Sequence, residues 1–155
     1  DYRKVHMPVF GKLFKIIYTA RFARTLSSLY SSGMPIATAL GIAGNTIGNS
    51  YVEGQFEQVV ALVRSGIPMS QALREVDGLQ KKLASTILVG EESGRLDVML
   101  DSIALSLEAD AEEATKRMVT LMEPLLIMMM AVIVGFIMIA VMLPIYESYS
   151  AIENS

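Results

Sequence analysis

Residues 125–143 read LLIMMMAVIVGFIMIAVML, nineteen positions without a charge, an amide or a hydroxyl. At the helical rise of 1.5 Å per residue such a stretch spans roughly 29 Å, close to the hydrocarbon thickness of a bilayer. The core helix of a soluble domain would show a polar face within five turns, and this stretch shows none. It is therefore read as a transmembrane helix. Pro124 suits its first turn, where no intrahelical N–H bond is lost, and Pro144 marks its far end, with Tyr146 and Tyr149 at interfacial depth.

The flanks give a direction. All thirteen Lys and Arg residues precede the span and none follows it. The positive-inside tendency puts the N-terminal side in the cytoplasm and the C-terminus outside. The opening DYRKVHMPVFGKLF has none of the pattern of a cleavable signal. The sequence thus predicts an irregular lead-in over 1–12, a cytoplasmic helical bundle over 13–122, a transmembrane helix over 124–146 and an outward-facing tail over 147–155. The absence of Cys excludes disulfides and thiolate metal sites.

Charge is informative once divided. Residues 1–24 hold six basic groups (Arg3, Lys4, Lys12, Lys15, Arg21, Arg24) against Asp1, and residues 91–113 hold eight acids against Arg95. A basic opening segment can lie on anionic lipid headgroups, leaving the acidic helix to the cytosol or a partner. Alternatively these are solvated faces that partly neutralise each other within the bundle.

Apart from the lead-in, where Pro8 and Gly11 are expected to block a regular element, every segment reads as helix. In the first, about Leu13 to Ser32, apolar residues recur at Ile16, Ala20, Ala23, Leu26 and Leu29 or Tyr30, spacings of three and four that share a helical face. Gly33 supplies a left-handed cap and Pro35 opens a second helix to about Ile47. A third, Ser50 to Ser65, buries Val52, Phe56, Val59 or Val60 and Val63. A fourth runs from Pro68 to Val76 and a fifth from Gln80 to Ser93. The sixth carries a sustained stripe, Leu96, Leu100, Ile103, Leu107, Ala111, Ala114, Met118 and Leu121, and leads into the span with a bend or join at Pro124. The fold class expected is all-α, a six-helix bundle followed by one C-terminal membrane helix. Ser32-Gly33-Met34-Pro35 recurs as Ser65-Gly66-Ile67-Pro68, and the chemistry of a tight helix-Gly-Pro-helix corner accounts for the echo.

Catalytic constellations are hard to find. His6 is the one histidine. It lies in the lead-in without a fixed neighbour, so neither a triad nor a multi-histidine metal site can be assembled. No phosphate-binding glycine loop occurs. Glu91 and Glu92 with Asp97 and Asp101 have the oxygen chemistry for a divalent cation, but a solvated acidic face is the commoner outcome. Basic residues without aromatic interleaving argue against nucleic acid. In the span, Ala131 and Gly135 form a small-xxx-small pair suited to close helix approach.

Four stretches, MPVFGKLF, ARFARTLSSLYSSGMPIATAL, VGEESGRLDVML and MEPLLIMMMAVIVGFIMIAVMLPIY, together resemble the type II secretion system protein F family, which takes in the platform proteins of type IV pili. The resemblance covers about Pro8 to Tyr146. It implies a bacterial inner-membrane platform without enzymatic activity or cofactor. Such platforms have two related cytoplasmic domains and three membrane helices, of which this chain matches the second domain and the last helix, so it looks like the C-terminal part of such a protein. The implied partners are an assembly or retraction ATPase, pilin or pseudopilin, further platform subunits in a homo-oligomer, and membrane lipids. On that reading Glu91, Glu92, Arg95, Asp97, Asp101 and Glu108 form a partner-contact surface, while Ala131 and Gly135 pack against other membrane helices. Two other readings stay open: a tail-anchored helical adaptor that presents its bundle to a soluble partner, and a membrane-bound enzyme using Glu91, Glu92 and Asp97 with a divalent metal.

Overall fold

The computed structural model describes residues 2–6, 8 and 10–155, Tyr2 and Lys4 by their backbone alone. Among these the chain is all-α, with eight helices and no strand. Its compact units are Asp1–Thr115 and Lys116–Ser155.

The first correction falls on the lead-in. Tyr2–His6 is a helix, α1, and α2 spans Gly11–Ser31. Gly11 does not block regular structure; it opens α2 because a Cβ there would lie 2.5 Å from the Val5 carbonyl oxygen, so only glycine admits α1 this closely. Val5 is buried and lies near Gly78. Positions 1, 7 and 9 of the expected lead-in lie outside the described residues. His6 also has fixed neighbours, since its Nε2 lies 3.1 Å from Asp77 Oδ2 and its ring meets Tyr51 edge-on.

In α2 the buried face is Tyr18, Phe22 and Leu26 with Ala20 and Ala23, while Ile16 is half-buried. The larger aromatic side chains take the centre of the core, Phe22 packing on Phe56 with ring centroids 4.9 Å apart. α3 is Ile36–Asn45 and α6 is Met69–Arg74, each preceded by a proline in the N-cap position with ψ near 138–139°. Both helices thus begin one residue after the proline that was expected to be helical. The expected third helix is two: α4, Ser50–Glu53, and α5, Phe56–Arg64. Gln55 explains the break. Its Nε2 donates to Tyr51 O and Asp77 O, and its Oε1 accepts from the Asp77 N–H at 2.8 Å, so the side chain stitches this joint to a distant turn.

The two Ser-Gly-Xaa-Pro corners are built alike. Gly33 and Gly66 have φ of +89° and +97°. Met34 N–H reaches Leu29 O, Ile67 N–H reaches Leu62 O, and each serine hydroxyl donates 2.7 Å to the same carbonyl. These are Schellman closures, which satisfy the last carbonyls of the preceding helix. α7, Lys81–Ser93, ends the same way at Gly94, φ +69°, with Arg95 N–H on Gly90 O.

α2 and α3, α3 and α5, α6 and α7, and α7 and the helix after it run antiparallel. A Cβ at Gly41 or Gly44 would meet Val60 or Phe56, Ser70 meets Glu91, and Lys82 meets Ser106 and Asp110. All three Ser-Gly corners therefore lie at one end of the bundle, and α1, the start of α2 and the 75–80 turn lie at the other.

The last helix, α8, spans Leu96–Glu153 with Pro124 and Pro144 inside it. No join interrupts it at Pro124, and Pro144 does not end it. Each proline removes one N–H, and the helix continues through both. Within Asp1–Thr115 it buries Leu100, Ile103, Ala104 and Leu107. In Lys116–Ser155 the helix is long and apolar enough to cross a membrane, and none of its apolar window is buried.

Candidate interaction surface

The corner between α7 and α8 is set by close packing. A Cβ at Gly90 would lie 3.0 Å from Met99 Cβ and 3.1 Å from Leu96 Cα, so this glycine lets the two helices meet. Of the six residues expected to face a partner, Glu91, Glu92, Arg95 and Asp97 belong to this corner while Asp101 and Glu108 follow along α8, and the structure separates the six into three groups.

Glu91 faces inward. Its carboxylate accepts from the Ser70 N–H at 3.1 Å and from the buried Ser70 hydroxyl at 2.6 Å. Because Pro68 has no side-chain acceptor with which to cap α6, the acid on α7 satisfies that helix's N-terminal N–H group. Its role is internal. Asp101 and Glu108 are also engaged. Arg24 of α2 donates Nε to Glu108 Oε1 at 2.6 Å and Nη2 to Oε2 at 2.7 Å, a bidentate pair, and its Nη1 lies 3.7 Å from Asp101 Oδ1. The hydrogen bonds from Arg24 hold the Glu108 carboxyl below the usual carboxylate range, and they raise the guanidinium above its ordinary value. Here the basic and acidic segments neutralise each other within the bundle.

Glu92, Arg95 and Asp97 make up the third group. They are exposed, and among the described residues no side-chain hydrogen bond or ion pair holds them. The contact-competent part of the expected surface is thus this trio at the corner itself. The structure does not gather Glu91, Glu92 and Asp97 into a metal centre: among the described residues no three His, Cys, Asp or Glu side chains converge on one point. In Lys116–Ser155, Ala131 is exposed, and a Cβ at Gly135 would meet nothing within 4 Å.

Sequence reasoning missed Ser70 and Arg24. The first had no signal beyond an uncapped Pro68 helix. The second was visible only as one cation of a basic segment.

The family model for type II secretion system (T2SS), protein F, matches residues 22–144, covering most of the bundle and the apolar stretch of α8. The type IV pilus assembly protein PilC of Thermus thermophilus is 37% identical over 95% of this chain and 36% of its own length. PilC of Pseudomonas aeruginosa is 30% identical over 91% and 38%, and the type II secretion system protein F of Aeromonas hydrophila is 34% identical over 92% and 37%. The chain therefore spans a little over a third of the length of these relatives. A match that runs continuously from α2 through the corner and into the apolar helix is more than a shared bundle, and the chain belongs to the type II secretion system protein F family.

Proposed function

We propose that this chain is part of the inner-membrane platform of a type IV pilus or type II secretion machine, with a mechanical and non-enzymatic role. The observation that carries this reading is the family match over 22–144, which takes in both the bundle and the apolar helix, with relatives named for pilus assembly and secretion. The bundle lies in the cytoplasm of a bacterial cell, α8 crosses the membrane through Leu125 to Leu143, and the C-terminus is outside. A cytoplasmic assembly ATPase acts on the bundle, and the platform passes that movement to pilin or pseudopilin being drawn from the membrane. α8 suits the task because it contributes Leu100, Ile103 and Leu107 to the bundle core and continues as the apolar span. Further platform subunits complete a homo-oligomer, and Ala131 and Gly135 pack against the platform's other membrane helices or against pilin. No cofactor or nucleic acid takes part.

The ATPase or a neighbouring subunit contacts the corner trio Glu92, Arg95 and Asp97, whose charges are not engaged within the fold. Asp101 and Glu108 belong to the bundle's own ion pairs and are unsuited to test the contact. The decisive variant reverses the trio, Glu92→Lys, Arg95→Glu and Asp97→Lys, in the intact protein of a piliated or secreting cell. Loss of pili or secretion at normal platform abundance is expected. Normal assembly by that variant would sink the proposal for the corner.

A further inference from the structure

We propose that the end of the bundle opposite the three Ser-Gly corners is a docking face for an anionic lipid surface, built by Arg3, Lys12, Lys15, Arg74 and Lys81. The inference rests on reading Leu125 to Leu143 as a membrane span, and it extends the basic opening segment to cations that lie far from it in sequence.

The fold gathers them. Lys15 of α2, Arg74 at the end of α6 and Lys81 at the start of α7 line one open groove of about 270 Å³, closed at its base by the 75–80 turn. Arg3 lies on α1, whose Val5 is beside Gly78 of that turn, and Lys12 lies in the first turn of α2. Among the described residues Arg3, Lys12, Arg74 and Lys81 are exposed and hold no side-chain partner.

The acids at this end are partly engaged. Asp77 is already met by His6 at 3.1 Å, by Lys15 at 3.8 Å and by the Tyr51 hydroxyl, which donates at 3.0 Å. Asp110 is met by Lys82, which also donates to Ser106. Glu75 remains exposed in the groove without a partner among the described residues, and Glu112 and Glu113, exposed on α8 just past Asp110, stand outside the groove.

Chain direction identifies the occupant. α8 starts at the corner end with Leu96 and passes Lys82 at Ser106 and Asp110, so the chain leaves the bundle at the cationic end. Leu125 follows the last residue of this unit, Thr115, by only ten positions. Cations held near an anionic leaflet each favour the docked state by about fivefold, and salt screens that attraction.

The test uses the whole chain in nanodiscs of phosphatidylcholine with and without phosphatidylglycerol, each carrying a headgroup-quencher lipid. The sequence contains no Cys. Ser85→Cys therefore takes a single fluorophore one turn beyond Lys81, and Ser65→Cys takes one at the corner end as a control. Quenching at position 85 is expected to rise with phosphatidylglycerol and fall at high salt, with little change at position 65. Lys12→Glu, Arg74→Glu and Lys81→Glu together should lower the docked-to-undocked ratio by about tenfold or more. The matching glutamine set, with helicity checked by circular dichroism, separates lost attraction from added repulsion. Equal quenching in both kinds of disc, or quenching unmoved by either set, would overturn the inference while leaving the span intact. A chain that fails to enter the discs would instead overturn the span reading, and this inference with it.

Discussion

A methyl group at position 90 would press on the Cβ of Met99 and the Cα of Leu96, neither of which is the movable end of a side chain. Gly90→Ala should therefore destabilise the bundle by about 1–3 kcal/mol, read as a thermal midpoint several degrees lower for the detergent-solubilised chain. Gly41→Ala is the control, since its Cβ would stand 3.7 Å from Val60 and lose only backbone freedom, giving a midpoint unchanged or slightly raised. Glu108 makes a different kind of prediction. Its native pKa lies below the unfolded value, so the pair with Arg24 adds stability above about pH 4.3, and that contribution disappears as pH falls through the native value. Wild type should exceed Glu108→Gln in urea unfolding at pH 7 by about 1 kcal/mol or less, as the side chain is 41% exposed, and the gap should close in acid. A gap independent of pH would mean that the loss is one of packing. The left-handed role of Gly33 was legible in the sequence because the chemistry is local. The Arg24–Glu108 pair was not, because 84 residues separate its members and many acids stood as candidates.

Adjacent acids on α7 show what an element adds to its residues. Consecutive positions on a helix point about 100° apart, so of Glu91 and Glu92 only one can face α6. The order of residues does not say which; the packing of α6 on α7 does. Glu91→Ala leaves the buried Ser70 hydroxyl and the α6 terminus without their acceptor and should cost about 1–3 kcal/mol in urea unfolding. Glu92→Ala, on the open side, should stay within about 0.5 kcal/mol of wild type. Equal effects would remove the capping role. The same scale explains how the periodicity of α8 was read. The stripe is buried at Leu100, Ile103 and Leu107, half-buried at Ala111, Ala114 and Met118, and 72% exposed at Leu121. Sequence spacing gives a helix its apolar face but not the point at which neighbouring helices stop covering it. The break between α4 and α5 was hidden for a related reason, since it depends on Gln55 bonding a turn twenty-two residues away.

For the whole molecule the informative position is Gly135, because among the described residues nothing packs against it. A Cβ there meets no atom within 4 Å, and the helix propensity lost to glycine would be regained by a larger residue. Gly135→Leu should therefore leave the helicity and thermal midpoint of the isolated chain unchanged. In the membrane of a piliated or secreting cell the same substitution fills the groove between Ala131 and residue 135, where another helix could come close. If that groove is occupied by a further platform subunit or by pilin, cysteine cross-linking from position 131 should weaken and assembly should fall, with platform abundance normal. A surface Leu elsewhere in the span, Ile137→Leu, supplies the neutral comparison. Full assembly and unchanged cross-linking in Gly135→Leu would mean that this face meets lipid only. Because residues 1–155 by themselves do not register the change, a loss seen in the cell belongs to a contact outside them.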